Sequence, residues 1–89
     1  MEDNVVFVGK KNVMNYVMAG VTEINKGEKE IHIKARGRSI STAVDVAQLL
    51  VTKFAKGSKV KGVEIGRDEV QSDDGNKINV STIDISINA

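Results

Sequence analysis

The spacing of apolar residues changes along the chain, and each change marks an element. Val5-Val6-Phe7-Val8 is a short continuous apolar run closed by Gly9. Such a run predicts a central strand covered on both faces, with Phe7 in the core. Asn12 is a good N-cap for a helix from about 13 to 26, in which Met14, Val17, Val21 and Ile24 step by three and four, the stripe of a helix lying on a sheet. Gly27 supplies its left-handed stop. The pattern then alternates through Ile31-His32-Ile33-Lys34-Ala35-Arg36, predicting a strand at about 30–36. Its Ile31 and Ile33 go to a core, and His32, Lys34, Arg36 and Arg38 go to the other side. Gly37 allows a sharp turn. Ser41 or Thr42 can then cap a second helix, Thr42-x-x-Asp45 resembling a capping box. Ala43, Ala47, Leu50 and Phe54 form its stripe, and Gly57 ends it.

The remainder reads as a long hairpin. Val60 to Gln71 runs up, Asp74-Gly75 is a two-residue turn signal, and Asn76 to Ile87 returns. Ile78 and Val80 are in phase with each other but out of phase with Ile83, Ile85 and Ile87, which predicts a bulge or face switch near Ser81-Thr82. At about 3.3 Å per residue these strands outrun a fourteen-residue helix of about 21 Å, so the hairpin, about 63–87, should project as an arm. The order βαβαββ predicts an α/β fold, a two-layer sandwich: a four-stranded mixed sheet with both helices on one face and a protruding hairpin.

Composition bounds this picture. Eighty-nine residues make one domain, 1–89, burying only about 60–65% of its unfolded surface, a mild reason to expect oligomerisation. With 40% apolar and 28% charged residues the chain is of the folded globular class. It has no cysteine, which excludes disulfides and thiolate metal sites and fits an intracellular setting. Neither a membrane span nor a signal peptide can be read. The net charge of +1 conceals a division: residues 1–61 hold 11 Lys/Arg against 6 Asp/Glu, and residues 62–89 hold 2 against 6. A basic two-thirds is joined to an acidic end.

That division points to the cations. Lys10-Lys11 lie between the first strand and first helix; Lys34, Arg36 and Arg38 lie at the end of the second strand and in the loop after it. If the two strands are neighbours joined by a right-handed crossover, both groups converge at their carboxyl ends, where open α/β sheets place ligands. Arg suits bidentate phosphate contact and Lys a point-charge contact. Nucleic acid, another anionic ligand, and an ordinary solvated surface all fit this pattern. Other chemistry is sparse. His32, the single histidine, has no nearby nucleophile and reads as a surface residue. Asp73-Asp74-Gly75-Asn76 lacks the glutamate and spacing of a calcium loop and reads as a turn, leaving no metal site. No nucleophile, base and orienting group can be assembled, so neither an enzyme nor a cofactor is expected. With three aromatics, Phe7, Tyr16 and Phe54, stacking platforms for single-stranded bases are almost absent. Phe54, beside Lys53 and Lys56, is either core or a self-association patch.

Four segments carry a resemblance. Gly9-Lys10-Lys11-Asn12-Val13-Met14-Asn15-Tyr16-Val17, Ile33-Lys34-Ala35-Arg36-Gly37-Arg38-Ser39-Ile40-Ser41, Ala43-Val44-Asp45 and Val80-Ser81-Thr82-Ile83-Asp84-Ile85 together resemble the Alba (Sac10b) family of archaeal chromatin proteins, over about residues 4–87. The resemblance implies a fold like the C-terminal domain of bacterial translation initiation factor three. It also implies a homodimer that binds double-stranded DNA and RNA without catalysis, in the cytoplasm on the chromosome. It assigns Lys10, Lys11, Lys34, Arg36 and Arg38 to the nucleic-acid face, with Asn12 beside them, and the arms, with Arg67 and Lys77, to the minor groove. It places Phe54 at a dimer–dimer contact. It makes Lys10 a site of acetylation and so implies an acetylase and deacetylase as partners.

The chain departs from the family pattern in three places. Asn12 stands where many members have proline. Residues 67–77 hold Arg67 and Lys77 against Asp68, Glu69, Asp73 and Asp74, where the family arm is usually basic. The basic C-terminal end of several members is replaced by Ile87-Asn88-Ala89. Because each lost cation removes a phosphate contact and its counterion release, binding weaker than that of a fully basic relative is expected. Two alternatives to a duplex-DNA binder stay open: a subunit of an RNA-processing ribonucleoprotein, and a module whose acidic arm recruits a basic protein.

Overall fold

Alternation in one strand sets the sheet. In the computed structural model, which describes residues 4–89, the chain runs β1 (Val5–Phe7), α1 (Val13–Asn25), β2 (Glu30–Arg36), a 3-10 turn (Gly37–Ser39), α2 (Ile40–Leu49), a π-helical turn (Leu50–Phe54), β3 (Lys59–Gln71) and β4 (Lys77–Asn88). The sheet order is β1-β2-β4-β3. β1 pairs parallel with β2, and β2–β4 and β4–β3 are antiparallel. Ile31, Ile33 and Ala35 of β2 pair with Ile87, Ile85 and Ile83 of β4, and all six are buried. Val6 joins them in register with Ile33. The helices close the core over this face with Tyr16, Val17, Ala43, Val46, Ala47 and Leu50. Ile31, Ile33, Ile87, Leu50, Val17 and Val46 are fully buried, each worth roughly 1.5–3 kcal/mol of transfer energy against the entropy of ordering the chain. The expected two-layer α/β sandwich, with both helices on one face and the hairpin projecting beyond them, is the fold observed; the molecule measures 44 × 23 × 23 Å.

Capping accounts for the ends of α1. The Asn12 side chain accepts a hydrogen bond from the Met14 N–H at 2.9 Å, and Gly27 follows the helix at φ 100°. Met14 is partly exposed, and the buried face is instead Tyr16, Val17 and Gly20, with Val13, Val21 and Ile24 at its margins. α2 departs from expectation at both ends. It starts one turn early, out of the 3-10 turn, so Ser41 and Thr42 lie inside it, and no side chain caps it. At its far end the Ala55 N–H bonds to the Leu50 carbonyl at 2.7 Å, an i to i+5 link that widens the turn. The extra residue rotates Phe54 off the stripe of Ala43, Ala47 and Leu50, and it is 44% exposed. It is not core.

Three strand expectations are corrected. β1 is an edge strand rather than a central one, and Phe7, in register with Lys34 on the face without helices, is 66% exposed instead of buried. An apolar run does not say which of its faces is covered. Of the bulge or face switch expected near Ser81-Thr82, β4 shows the face switch, keeping its register there, and the bulge lies in β3, between Val60 and Gly62. Ile78 and Val80 are out of phase because the arm beyond the helices has no core to face, so its few apolar residues sit on the opposite side. The turn spans residues 72–76 rather than two residues, with Gly75 at φ 88°. No helix among the described residues is long and apolar enough to cross a membrane.

Close packing of α1 on the start of the π-helical turn gives a direct test. A Cβ on Gly20 would lie 2.8 Å from Cδ1 of the fully buried Leu50. Ordinarily Gly→Ala inside a helix gains up to about 1 kcal/mol. Here Gly20→Ala should instead cost about 1–3 kcal/mol through overpacking, read as a lower urea midpoint. A rise in that midpoint would show that the contact of Gly20 with Leu50 is looser than described.

Candidate nucleic-acid interface

Parallel pairing of β1 with β2 continues one residue past β1, where the Val8 N–H donates to the Lys34 carbonyl at 2.8 Å. The chain then turns through Gly9 into Lys10 and Lys11. The Lys11 N–H donates to the phenol oxygen of Tyr16 at 2.9 Å. Tyr16 is itself 8% exposed, so a buried α1 side chain fixes the course of the lysine loop. Sequence reasoning gave Tyr16 no such role; its i+5 spacing from Lys11, one turn into α1, is a signal visible only afterwards. The lysine loop leads through the Asn12 cap into the N-terminal end of α1, whose dipole adds positive potential there. Asn12 acts on the helix, through its cap bond.

Lys10, Lys34 and Arg36 line one open cleft of about 710 Å³ at the carboxyl ends of β1 and β2. The expected convergence of the two cation groups is therefore present in this geometry. Lys11 is exposed next to Lys10. Arg38 is exposed in the 3-10 turn, since β2 stops at Arg36, and it does not continue the strand's cation face. Arg67 is on the helix side of the arm, in a smaller cleft with Ile40 and Ile65. Lys77 is at the distal end of the arm, 3.6 Å from Glu69. Phe54 lies apart from the cleft, at the end of the π-helical turn.

Carboxylates stand among these cations. Lys34 Nζ is 3.9 Å from Asp84, its cross-strand partner, and Arg36 is 3.8 Å from Asp68 on β3. Both pairs are long and partly exposed, the kind worth 0–1 kcal/mol, so a phosphate can replace the carboxylate at little cost. A tighter network runs along the same face. The bulge re-aims Lys61 onto Glu30 at 2.5 Å. His32 then bridges Glu30 and Asp84, with Nε2 3.1 Å from the first and Nδ1 2.9 Å from the second. The hydrogen bond to Asp84 holds the His32 pKa above its ordinary 6.5, with Glu30 adding to it and partial burial opposing. The Lys61 hydrogen bond keeps Glu30 below the usual carboxylate range. His32 is therefore a partly exposed surface residue, as expected, and in addition a bridging group. At the arm tip, Asp74 accepts from Ser72 and from the Asn76 N–H, and the Ser72 bond lowers its pKa. One of the four arm acids is thus used in the turn.

The Alba family model matches residues 4–67. The chain belongs to the Alba family. It is 52% identical over 84 residues to the DNA/RNA-binding protein Alba of Methanocella arvoryzae, covering 94% of this chain and 88% of that one. It is 48% identical over 84 residues to its namesake in Methanococcus maripaludis, covering 93% and 94%. Among solved structures, Alba from Thermoplasma volcanium superposes with a TM-score of 0.91 at 43% identity, covering 97% of this chain and all of that one. The match to the family model extends over both lysine-bearing segments and ends at residue 67, before the acidic turn, whereas the relatives match over nearly the whole chain.

The His32 bridge predicts a pH signature. A proton held more tightly in the folded than in the unfolded chain stabilises fully below the unfolded pKa of about 6.5, and the gain is lost as pH rises through the raised folded value. The stability difference between the wild type and His32→Gln should therefore shrink as pH rises from 6 through that value. Proton NMR should place the His32 pKa above 6.5 and lower it in Asp84→Asn. A His32 pKa at or below 6.5 would remove the bridge.

Proposed function

We propose that this chain is a homodimeric nucleic-acid-binding protein of the chromosome. It grips the phosphate backbone of double-stranded DNA with Lys10, Lys11, Lys34, Arg36 and Arg38, and also binds RNA. The observation that carries the reading is the meeting of Lys10, Lys34 and Arg36 in one open cleft, on a chain whose relatives are named DNA/RNA-binding proteins. Duplex DNA presents one phosphate charge per roughly 1.7 Å of axis, so cations held by a rigid strand end release condensed counterions on contact. The arms, with Arg67 and Lys77, follow the minor groove. Their acids hold them to a lesser share of the affinity.

Dimerisation is supported by an uncovered apolar edge. Val60, Val63 and Ile65 lie on the helix side of β3, which no helix covers, and are 40%, 54% and 84% exposed. Ile65 shares a cleft with Ile40 of α2, and a second copy laid there would extend the core. Phe54, half exposed at the end of the π-helical turn, suits a contact between dimers. Lys10 is exposed, and its acetylation by an acetylase, reversed by a deacetylase, would remove one charge from the cleft and weaken binding. The acidic arm as a recruiter of basic proteins has less support, because Asp68, Glu69 and Asp74 already have partners.

If four to six cations of a dimer meet phosphates, the slope of log affinity against log salt should be about −4 to −5. It can be measured by titrating labelled duplex at several salt concentrations. Replacing Arg36 and Arg38 together by Ala should weaken binding and flatten the slope by about 2 to 4 units. A slope near zero, or a double variant that binds like the wild type, would overturn the reading.

A further inference from the structure

The exposed ring of Phe7 has no role in holding a duplex backbone. It stands 66% exposed on the face without helices, beside Lys34, and lines the same cleft as Lys10 and Arg36. A large aromatic left in water at the mouth of a cationic cleft is a stacking surface, because every base presents a π-face. The rest of the lining sharpens the choice of ligand. Glu64, Asp68 and Asp84 border the cleft with the cations. A duplex backbone offers acceptors alone, so it leaves these carboxylates without a donor to meet. An unpaired base brings N–H donors on its freed edge for the carboxylates and a phosphate for the cations. The cleft, at about 710 Å³, is of the size that takes a ligand of this kind.

We propose that this cleft is a single-strand site: one unpaired nucleotide lays its base on Phe7, turns its N–H edge toward Asp84 and Glu64, and places its phosphate among Lys10, Lys34 and Arg36. The proposal rests on the phosphate-binding reading above and extends it to nucleic acid that is not paired. It gives the open sheet face a ligand that the arms, directed at a groove, do not serve. It also assigns Phe7 a use that explains why an apolar residue stays uncovered on an edge strand.

The test compares one labelled sequence as single-stranded RNA, as single-stranded DNA and as duplex DNA, bound by the whole chain at fixed salt. Phe7→Leu, which keeps an apolar side chain on the strand, should lose about 5- to 100-fold in single-strand affinity, the range of one base–aromatic stack, with far less change on duplex. Met18→Leu, an exposed apolar position on α1 outside the cleft, should leave single-strand binding as it is. Because the chain has no tryptophan, Phe7→Trp supplies a lone reporter whose emission a single strand should quench and a duplex should not. Whichever single strand binds more tightly names the sugar preferred. A Phe7→Leu chain that binds single strands like the wild type overturns the proposal. So does a wild type that binds duplex but no single strand, and so does a Phe7→Trp chain quenched equally by both, which also decides the matter should Phe7→Leu fail to fold. A wild type that binds no nucleic acid at all instead overturns the phosphate reading on which this one rests.

Discussion

The register between β2 and its two neighbours is the constraint on which the molecule depends. Ile31, Ile33 and Ala35 must meet Ile87, Ile85 and Ile83 to make the floor on which both helices sit. The alternation that satisfies this requirement also fixes where Lys34 and Arg36 project. A shift of one residue would drive Lys34 into the core and Ile33 into water, so the core enforces the placement of the cations. The parallel pairing of β1 does the rest: it sets Val6 against Ile33 and brings Gly9 and Lys10 to the end of β2. Packing and charge placement are thus two consequences of one pairing.

Electrostatics on that face is balanced rather than uniformly positive. Lys61, Glu30, His32, Asp84 and Lys34 form a continuous line of opposite charges, and Arg36 reaches Asp68 beyond it. Two of the cations assigned to phosphate must therefore give up a carboxylate when they bind. Because these contacts are 3.8–3.9 Å long and partly solvated, the exchange costs little. It does reduce the net field that a nucleic acid meets at a distance, and it makes affinity depend on salt more than on buried contacts. Lys10, Lys11 and Arg38 have no carboxylate within ion-pair reach among the described residues, so on the proposed reading the larger part of the attraction falls to them.

Much of the fold could be read from spacing alone, because period and punctuation are local. Asn12 as a cap, Gly27 as a stop, the alternation of β2 and the length of the hairpin all act over a few residues. The errors concern what lies across from a segment. Phe7 was expected in the core because a run of apolar residues looks the same on an edge as in the centre. The phase change near Ser81-Thr82 fitted a bulge or a face switch alike; it is the face switch, set by where the helices end, and the bulge lies in β3 instead. The capping box at Thr42 failed because the 3-10 turn starts the helix earlier. At the site, the convergence of Lys10 with Lys34 and Arg36 could be anticipated from topology. The answering carboxylates Asp68 and Asp84 could not, since they lie 32 and 50 residues away from their partners in the chain.

The central claim is that nucleic acid is held at the carboxyl ends of β1 and β2 and less by the arm. Titrating isotopically labelled chain with duplex DNA and following backbone amide shifts tests it residue by residue. The account predicts the largest changes at Gly9 to Asn12 and at Lys34 to Arg38, with smaller ones along the arm and little in the outer face of α1. Changes confined to the turn at 72–76, with Lys10, Lys34 and Arg36 unmoved, would contradict it.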